Sequence, residues 1–344
     1  MKIVKKSLTL LLALAMTLSL ASCGKETEQE PTVEETPVTT RVAALKGPTA
    51  MGMVKLMSDN EATAEEGGEE DAAQGGYEFT LAASADEVTP SLMKGDLDIA
   101  CVPANLASVL YNKTGGDIVT LAINTLGVLY VVENGNAVQS MADLTGKTIV
   151  ASGKGSTPEY ALRYLLTENG LNPDADVVVD WKSEHSECVA ALASGAATVA
   201  LLPQPFVTVA QSKMPDLRVA LDLTEEWDKT QPENGSSLVT GVTVCRKEVL
   251  EQNPEAAELF VKEHGESAEW VNANVTDAAE LVAAAGIIEK APIAAKAIPY
   301  CSIVCIDGKD MKTRLSGYLE ALYEMDPSAV GGQMPDDGFY YLHE

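Results

Sequence analysis

Basic side chains are scarce: 24 Lys and Arg stand against 51 Asp and Glu in 344 residues, a formal charge of −27. Nucleic-acid binding rests on Lys and Arg neutralising phosphates, so this balance argues against it. Histidine is scarcer, with His185, His264 and His343 the only three. None sits in a metal spacing such as His-Glu-x-x-His, and no Gly-x-Ser-x-Gly nucleophile elbow occurs. Six cysteines in a chain of this length do not make a disulfide scaffold. The apolar run at 8–20 is too short for a comfortable membrane span. What is present is an ordinary globular composition, 46% apolar, which excludes wholesale disorder. The length suggests about two domains.

The N-terminus reads as an address. Lys2, Lys5 and Lys6 precede the apolar run, which has the length of a signal-peptide core. It ends in Leu20-Ala21-Ser22-Cys23-Gly24, which resembles a bacterial lipobox. That resemblance implies a lipoprotein signal peptide over 1–22 and lipidation of Cys23, with acyl chains holding the protein at the outer face of the cell membrane. Residues 23–40, rich in Glu, Thr and Pro, read as a disordered acidic tether. The folded part is expected to start at Arg41, outside the cytoplasm.

From Arg41 onward, short β-type runs alternate with helical stretches, the signature of α/β units. Strands are expected at 42–45, 77–82, 98–102, 118–123, 128–132, 148–151, 177–180, 198–202 and 239–245. Helices are expected at 49–58, 85–93, 104–112, 158–168, 184–193, 206–213, 255–272, 277–285 and 310–324. Between Ser58 and Tyr77 an acidic, glycine-rich insert reads as a solvated loop and lacks EF-hand spacing.

An internal repeat is the most informative feature. Leu92-Met93-Lys94-Gly95 recurs as Leu192-Ala193-Ser194-Gly195, Ile99-Ala100 as Val199-Ala200, and Val102-Pro103 as Leu202-Pro203, all in one register. Each copy reads as a helix stopped by glycine, a buried strand, and a proline opening the next helix. Two similar α/β lobes explain the joint register.

Together with the lipobox and tether, these lobes resemble a substrate-binding lipoprotein of an ABC importer, similar to the nitrate, sulfonate/taurine and thiamine-precursor binding proteins. The resemblance rests on Leu92-x-x-Gly95-x-Leu97-Asp98-Ile99-Ala100, Asp143-Leu144-x-Gly146-Lys147-Thr148-Ile149, Leu202-Pro203-Gln204-Pro205, Asn253-Pro254-Glu255, and Gly331-Gly332-x-Met334-Pro335-Asp336-Asp337-x-Phe339-Tyr340. Gln204-Pro205 departs from a Glu-Pro often found in the family. The resemblance implies an α/β type II periplasmic-binding-protein clamshell. Its first lobe would comprise 41–125 plus 246–344 and its second 126–245, with crossings near 124–130 and 240–245 allowing hinge motion around a trapped ligand. It implies a small-molecule ligand, permease and ATPase partners, no cofactor, no metal and no catalytic residues.

Ligands of open α/β sheets bind beyond the carboxyl ends of strands, near helix N-termini. That rule selects Lys46, Gly47 and Thr49 after the first strand, and Gly153, Lys154, Ser156 and Thr157 in the matching second-lobe loop, which is not a P-loop. It adds Ser84, Asn105, Asn124, Thr125, Gln204 and Phe206; Trp181 and His185 divide evenly between contact and bystander. Thr49 serves equally well as a helix N-cap. The expected ligand is a small organic molecule or oxyanion; two lysines and no arginine in these loops make a highly charged oxyanion somewhat less attractive, and a neutral or weakly anionic heterocycle or an organic acid fits at least as well. Cys101 and Cys245 read as buried small hydrophobes. Cys301 and Cys305, about 13 Å apart in an extended segment, are too distant to bridge. The competing readings are an enzyme on the same two-lobed fold, against which a signal peptide argues, and a sensory binding module.

Overall fold

A computed structural model of the chain describes residues 39–66, 76–230 and 235–342. The expected signal peptide, Cys23, most of the tether and the glycine-rich part of the insert lie outside them. The chain begins with β1 (Thr40–Leu45), α1 (Pro48–Met51), α2 (Val54–Glu66), β2 (Tyr77–Ala82), α3 (Ala85–Lys94), β3 (Ile99–Pro103), α4 (Ala104–Thr114) and β4 (Ile118–Leu126). A second set follows: β5 (Leu129–Glu133), β6 (Thr148–Ser152), α5 (Thr157–Glu168), β7 (Val178–Lys182), α6 (His185–Ala193), β8 (Val199–Pro203), α7 (Phe206–Lys213), β9 (Arg218–Asp222) and α8 (Leu223–Thr230). The chain then returns through β10 (Val239–Arg246), α9 (Lys247–Gln252), α10 (Pro254–Ala273), α11 (Val275–Ala284), α12 (Ala291–Ala297), β11 (Ile303–Asp307) and α13 (Gly308–Met325).

Two sheets result, in the orders β11-β4-β10-β3-β1-β2 and β7-β6-β8-β5-β9. In the first, β1 runs parallel to β2 and β3, while β10 lies antiparallel between β3 and β4. In the second, β6 runs parallel to β7 and β8, while β5 lies antiparallel between β8 and β9. The sheets superimpose in plan, β1 on β6, β3 on β8 and β10 on β5. Each antiparallel insert is the first strand after the chain changes sheet. The sequence repeat is the matched passage into β3 and β8: Gly95 (φ 85°) and Gly195 (φ 75°) hold the left-handed conformation that stops α3 and closes the turn after α6. Strands β3, β4 and β8 are buried almost throughout, as expected of strands covered on both faces, and read as continuous apolar runs for that reason.

Four expectations are corrected. The single helix at 49–58 is two, because Ser267 of α10 accepts from Leu56 N (3.2 Å) and donates to Gly52 O (2.7 Å), inserting between turns. The acidic insert is not all loop: α2 continues to Glu66 on alanine and glutamate, good helix formers. The second crossing precedes 240–245, since β10 already lies in the first sheet from Val239, and the second lobe's expected end at 245 falls at the far end of that strand. Strands β9 and β11, short and at sheet edges, were not expected, nor were α8, α9 and α12.

The late helix α13 ties the two halves together. Tyr318 packs on Trp227 of α8 (ring centroids 5.4 Å apart), which packs on Tyr164 of α5 (4.7 Å). Trp227 Nε1 donates to Ser236 Oγ (3.1 Å) in the segment leading back to β10.

Candidate ligand-binding cleft

The carboxyl ends of β1, β3, β6 and β8 and the start of β10 meet along the boundary between the sheets. Helices α4 and α5 start there with no hydrogen bond from the side chain of the N-cap residue, while in the first turn of α7 a side chain outside the helix, that of Gln204, takes the N–H of Thr208. On the first-lobe side, Thr125 Oγ1 donates to Asn124 Oδ1 (2.9 Å) and Asn124 Nδ2 to Thr243 Oγ1 (3.2 Å), all three residues buried. Thr49 joins this group but does not cap α1; its hydroxyl donates back to Leu45 O (2.9 Å). Gly241 threads between them, so close that a Cβ there would lie 2.5 Å from Thr49 Cγ2 and 2.6 Å from Asn124 Oδ1.

On the second-lobe side, three strand ends converge. Ser152 Oγ shares a 2.5 Å hydrogen bond with His185 Nδ1, and the His185 ring lies 4.9 Å from that of Phe206. Burial pushes His185 down to about 4, so its imidazole is neutral at pH 7. Gln204 Oε1 accepts from Thr208 N (3.3 Å) and Oγ1 (2.9 Å), which turns the amide so that its NH2 is left without a partner among the described residues. Its backbone N–H donates to Val128 O (2.9 Å) at the first crossing.

Side chains from both halves meet at the boundary itself. Asn105 Nδ2 donates to Ala329 O (3.1 Å) and to Gly155 O (3.5 Å) of the second-lobe loop. Tyr318 Oη donates to Thr157 Oγ1 (3.3 Å), which donates to Thr240 O (3.5 Å). Lys46, Ser84 and Lys154 are exposed, and Ser84 Oγ is engaged locally with Glu87 (3.2 Å). Gly153 (φ 85°) makes the turn into α5, and Ser156 Oγ closes it by donating to Gly153 O (2.8 Å). Two surface grooves, of about 360 and 270 Å³, lie elsewhere, beside Glu266 and Cys305 and around Arg246 and Met93.

Residues 72–249 match the family described as ABC transporter, phosphonate, periplasmic substrate-binding protein. The chain belongs to this family. Among solved structures, the chain is similar in fold to an ABC transporter from Parabacteroides distasonis (TM-score 0.72, 22% identity, 89% of this chain and 100% of that one). It is similar also to the periplasmic aliphatic sulphonate binding protein of Escherichia coli (TM-score 0.69, 15% identity, 87% and 96%). A binding protein of Brucella abortus (strain 2308) is 26% identical over 209 residues, 60% of this chain. The match spans 61% of that relative's length.

Of the positions selected from sequence, the fold brings Thr49, Asn124 and Thr125 into one cluster and carries Asn105, Thr157, Gln204 and Phe206 to the same boundary. Sequence reasoning placed Ser152 in the second-lobe loop without choosing it as a contact, and it passed over Thr240, Gly241, Thr243 and Tyr318. One signal was readable: Gly241 interrupts an apolar strand, a pattern that marks close approach of another group.

Proposed function

We propose that the chain is the extracytoplasmic capture component of an ABC importer, holding a small molecule between its lobes and presenting it to a permease and ATPase. The observation that carries this reading is the contact across the boundary, where Asn105 reaches Gly155 and Thr157 reaches Thr240. Polar groups from both halves meet where the strands end, the arrangement that lets a ligand bridge the lobes and favour their closure. The candidate contacts are Lys46, Gly47, Thr49, Ser84, Asn105, Asn124, Thr125, Gly153, Lys154, Ser156, Thr157, Gln204 and Phe206, joined by His185.

The cleft's histidine is neutral and hydrogen-bonded to a serine, but no carboxylate orients that histidine among the described residues. This favours capture over catalysis. A thermal-shift screen against phosphonates, sulfonates, nitrate, pyrimidines and amino acids tests it: ligand binding only to the folded state raises the melting temperature once its concentration passes the dissociation constant. Turnover of a screened compound, with none raising the melting temperature, would overturn it.

Lipid anchoring at Cys23 belongs to the same proposal. Cys23→Ser is expected to move the protein from the membrane to the soluble fraction, and full retention would contradict the anchor. Permease and ATPase genes adjacent to this one would favour import over a sensory role.

A further inference from the structure

Two polar atoms at the lobe boundary are buried without a hydrogen-bond partner among the described residues: Asn105 Oδ1 and Thr240 Oγ1. They belong to one place. Asn105 is the second residue of α4, two beyond Pro103, and Pro103 pairs across the sheet with Gly241, the neighbour of Thr240. Both residues are also tied to the same second-lobe loop, Asn105 through Gly155 and Thr240 through Thr157. Asn105 is only 1% exposed. Its NH2 is committed to two backbone carbonyls, which fixes the amide and makes the unpaired atom an acceptor. Leaving a buried polar group unpaired is costly, and a ligand supplying the missing partner removes that penalty.

We infer that Asn105 and Thr240 form a ligand subsite that reads an N–H or O–H donor lying next to an acceptor, as on the lactam edge of an uncharged heterocycle. This deepens the capture reading and rests on it. The charge distribution points the same way. A sulfonate or nitrate brings acceptors and negative charge to an atom that can only accept. No arginine is available to offset that charge, because all five are within ion-pair distance of carboxylates: Arg41 and Arg246 at Asp98, Arg163 at Asp174, Arg218 at Glu133 and Arg314 at Asp310. Lys46 and Lys154 are exposed rather than buried at the subsite. On the opposite lobe, neutral His185 beside Phe206 and the free Gln204 NH2 offer a ring face and a donor without charge.

The experiment is calorimetric titration of the full-length protein with two panels: uracil, cytosine and hypoxanthine, and methylphosphonate, methanesulfonate and nitrate. The inference expects saturable binding from the uncharged panel alone, lost when the ring N–H groups are methylated, as in 1,3-dimethyluracil for uracil. Asn105→Ala should weaken that binding roughly ten-fold, and Thr240→Val, which keeps the side-chain shape, several-fold. Binding from the oxyanion panel alone, silence from both panels, or unchanged affinity in a folded Thr240→Val variant would each overturn the inference. Mass spectrometry of small molecules released from freshly isolated protein separates the two proposals: an oxyanion there removes the subsite and leaves capture standing. Turnover of a panel member removes capture itself.

Discussion

Gly241 is a glycine for want of space rather than for its backbone angles. The two contacts a Cβ would make, with Thr49 and Asn124, are both well inside van der Waals distance. Gly241→Ala is therefore expected to cost about 1–3 kcal/mol in chemical denaturation and to displace the Asn124 amide from Thr243. An unchanged midpoint would mean that both neighbours move aside freely. Arg218 presents the opposite case, a side chain required by the charge it faces. Glu133 is 3% exposed, and although burial alone would raise its pKa, N–H groups of Val138 and Ala137 and the Arg218 guanidinium (2.5 Å) hold it below the usual carboxylate range. Arg218→Met strands that carboxylate, and a loss of about 3 kcal/mol is expected. Adding Glu133→Gln should recover much of it; a double variant no better than the single would show that Arg218 acts mainly through packing.

At the scale of elements, legibility followed burial. The strands that the sequence made visible, β1 to β8 and β10, include the interior parallel strands whose apolar residues run without interruption. Strands β9 and β11 sit at edges, alternate weakly in burial, and gave no pattern to read. The repeat was legible because two glycines must occupy the left-handed region at matching positions. The break between α1 and α2 was not, because its cause lies about 210 residues away in Ser267. The same holds for the cleft. Loops after β1, β3, β6 and β8 could be chosen by position, whereas Thr240 and Tyr318 reach the boundary only through the return of β10 and α13. Ser267 supplies the test of this remote control. Ser267→Ala leaves Leu56 N and Gly52 O without their side-chain partner and should cost about 1–3 kcal/mol by denaturation. It should also raise amide exchange across 52–56, and protection equal to the parent protein would assign the break to Gly52 alone.

For the whole molecule, acidity of the medium is a global test because its two described histidines are both held neutral by burial. His264 is 1% exposed in α10, with Phe260 5.7 Å away and Nε2 without a partner among the described residues, and burial lowers it to about 4, as it does His185. An unfolded chain protonates histidine near pH 6.5, so between 6.5 and 4 it binds protons that the folded chain does not. Stability must then fall as pH falls, by at most about 1.4 kcal/mol per pH unit for each histidine, and by less for His185, which is partly exposed. Glu133 and Asp98 have lowered pKa values, so their stabilisation is complete above the unfolded carboxylate range and is lost as pH drops through their folded values, below the window in which the histidines begin to act. Melting temperature should thus decline from pH 6.5 to 5, and His264→Leu should remove about half or more of that slope while leaving His185 to account for the rest. Ligand affinity should behave differently. With His185 neutral throughout, binding of an uncharged ligand is expected to stay level from pH 8 to 5.5 while stability is already falling. Affinity that rises in acid would instead mean that His185 gains a proton when the ligand binds, the signature of an anionic ligand on the second lobe.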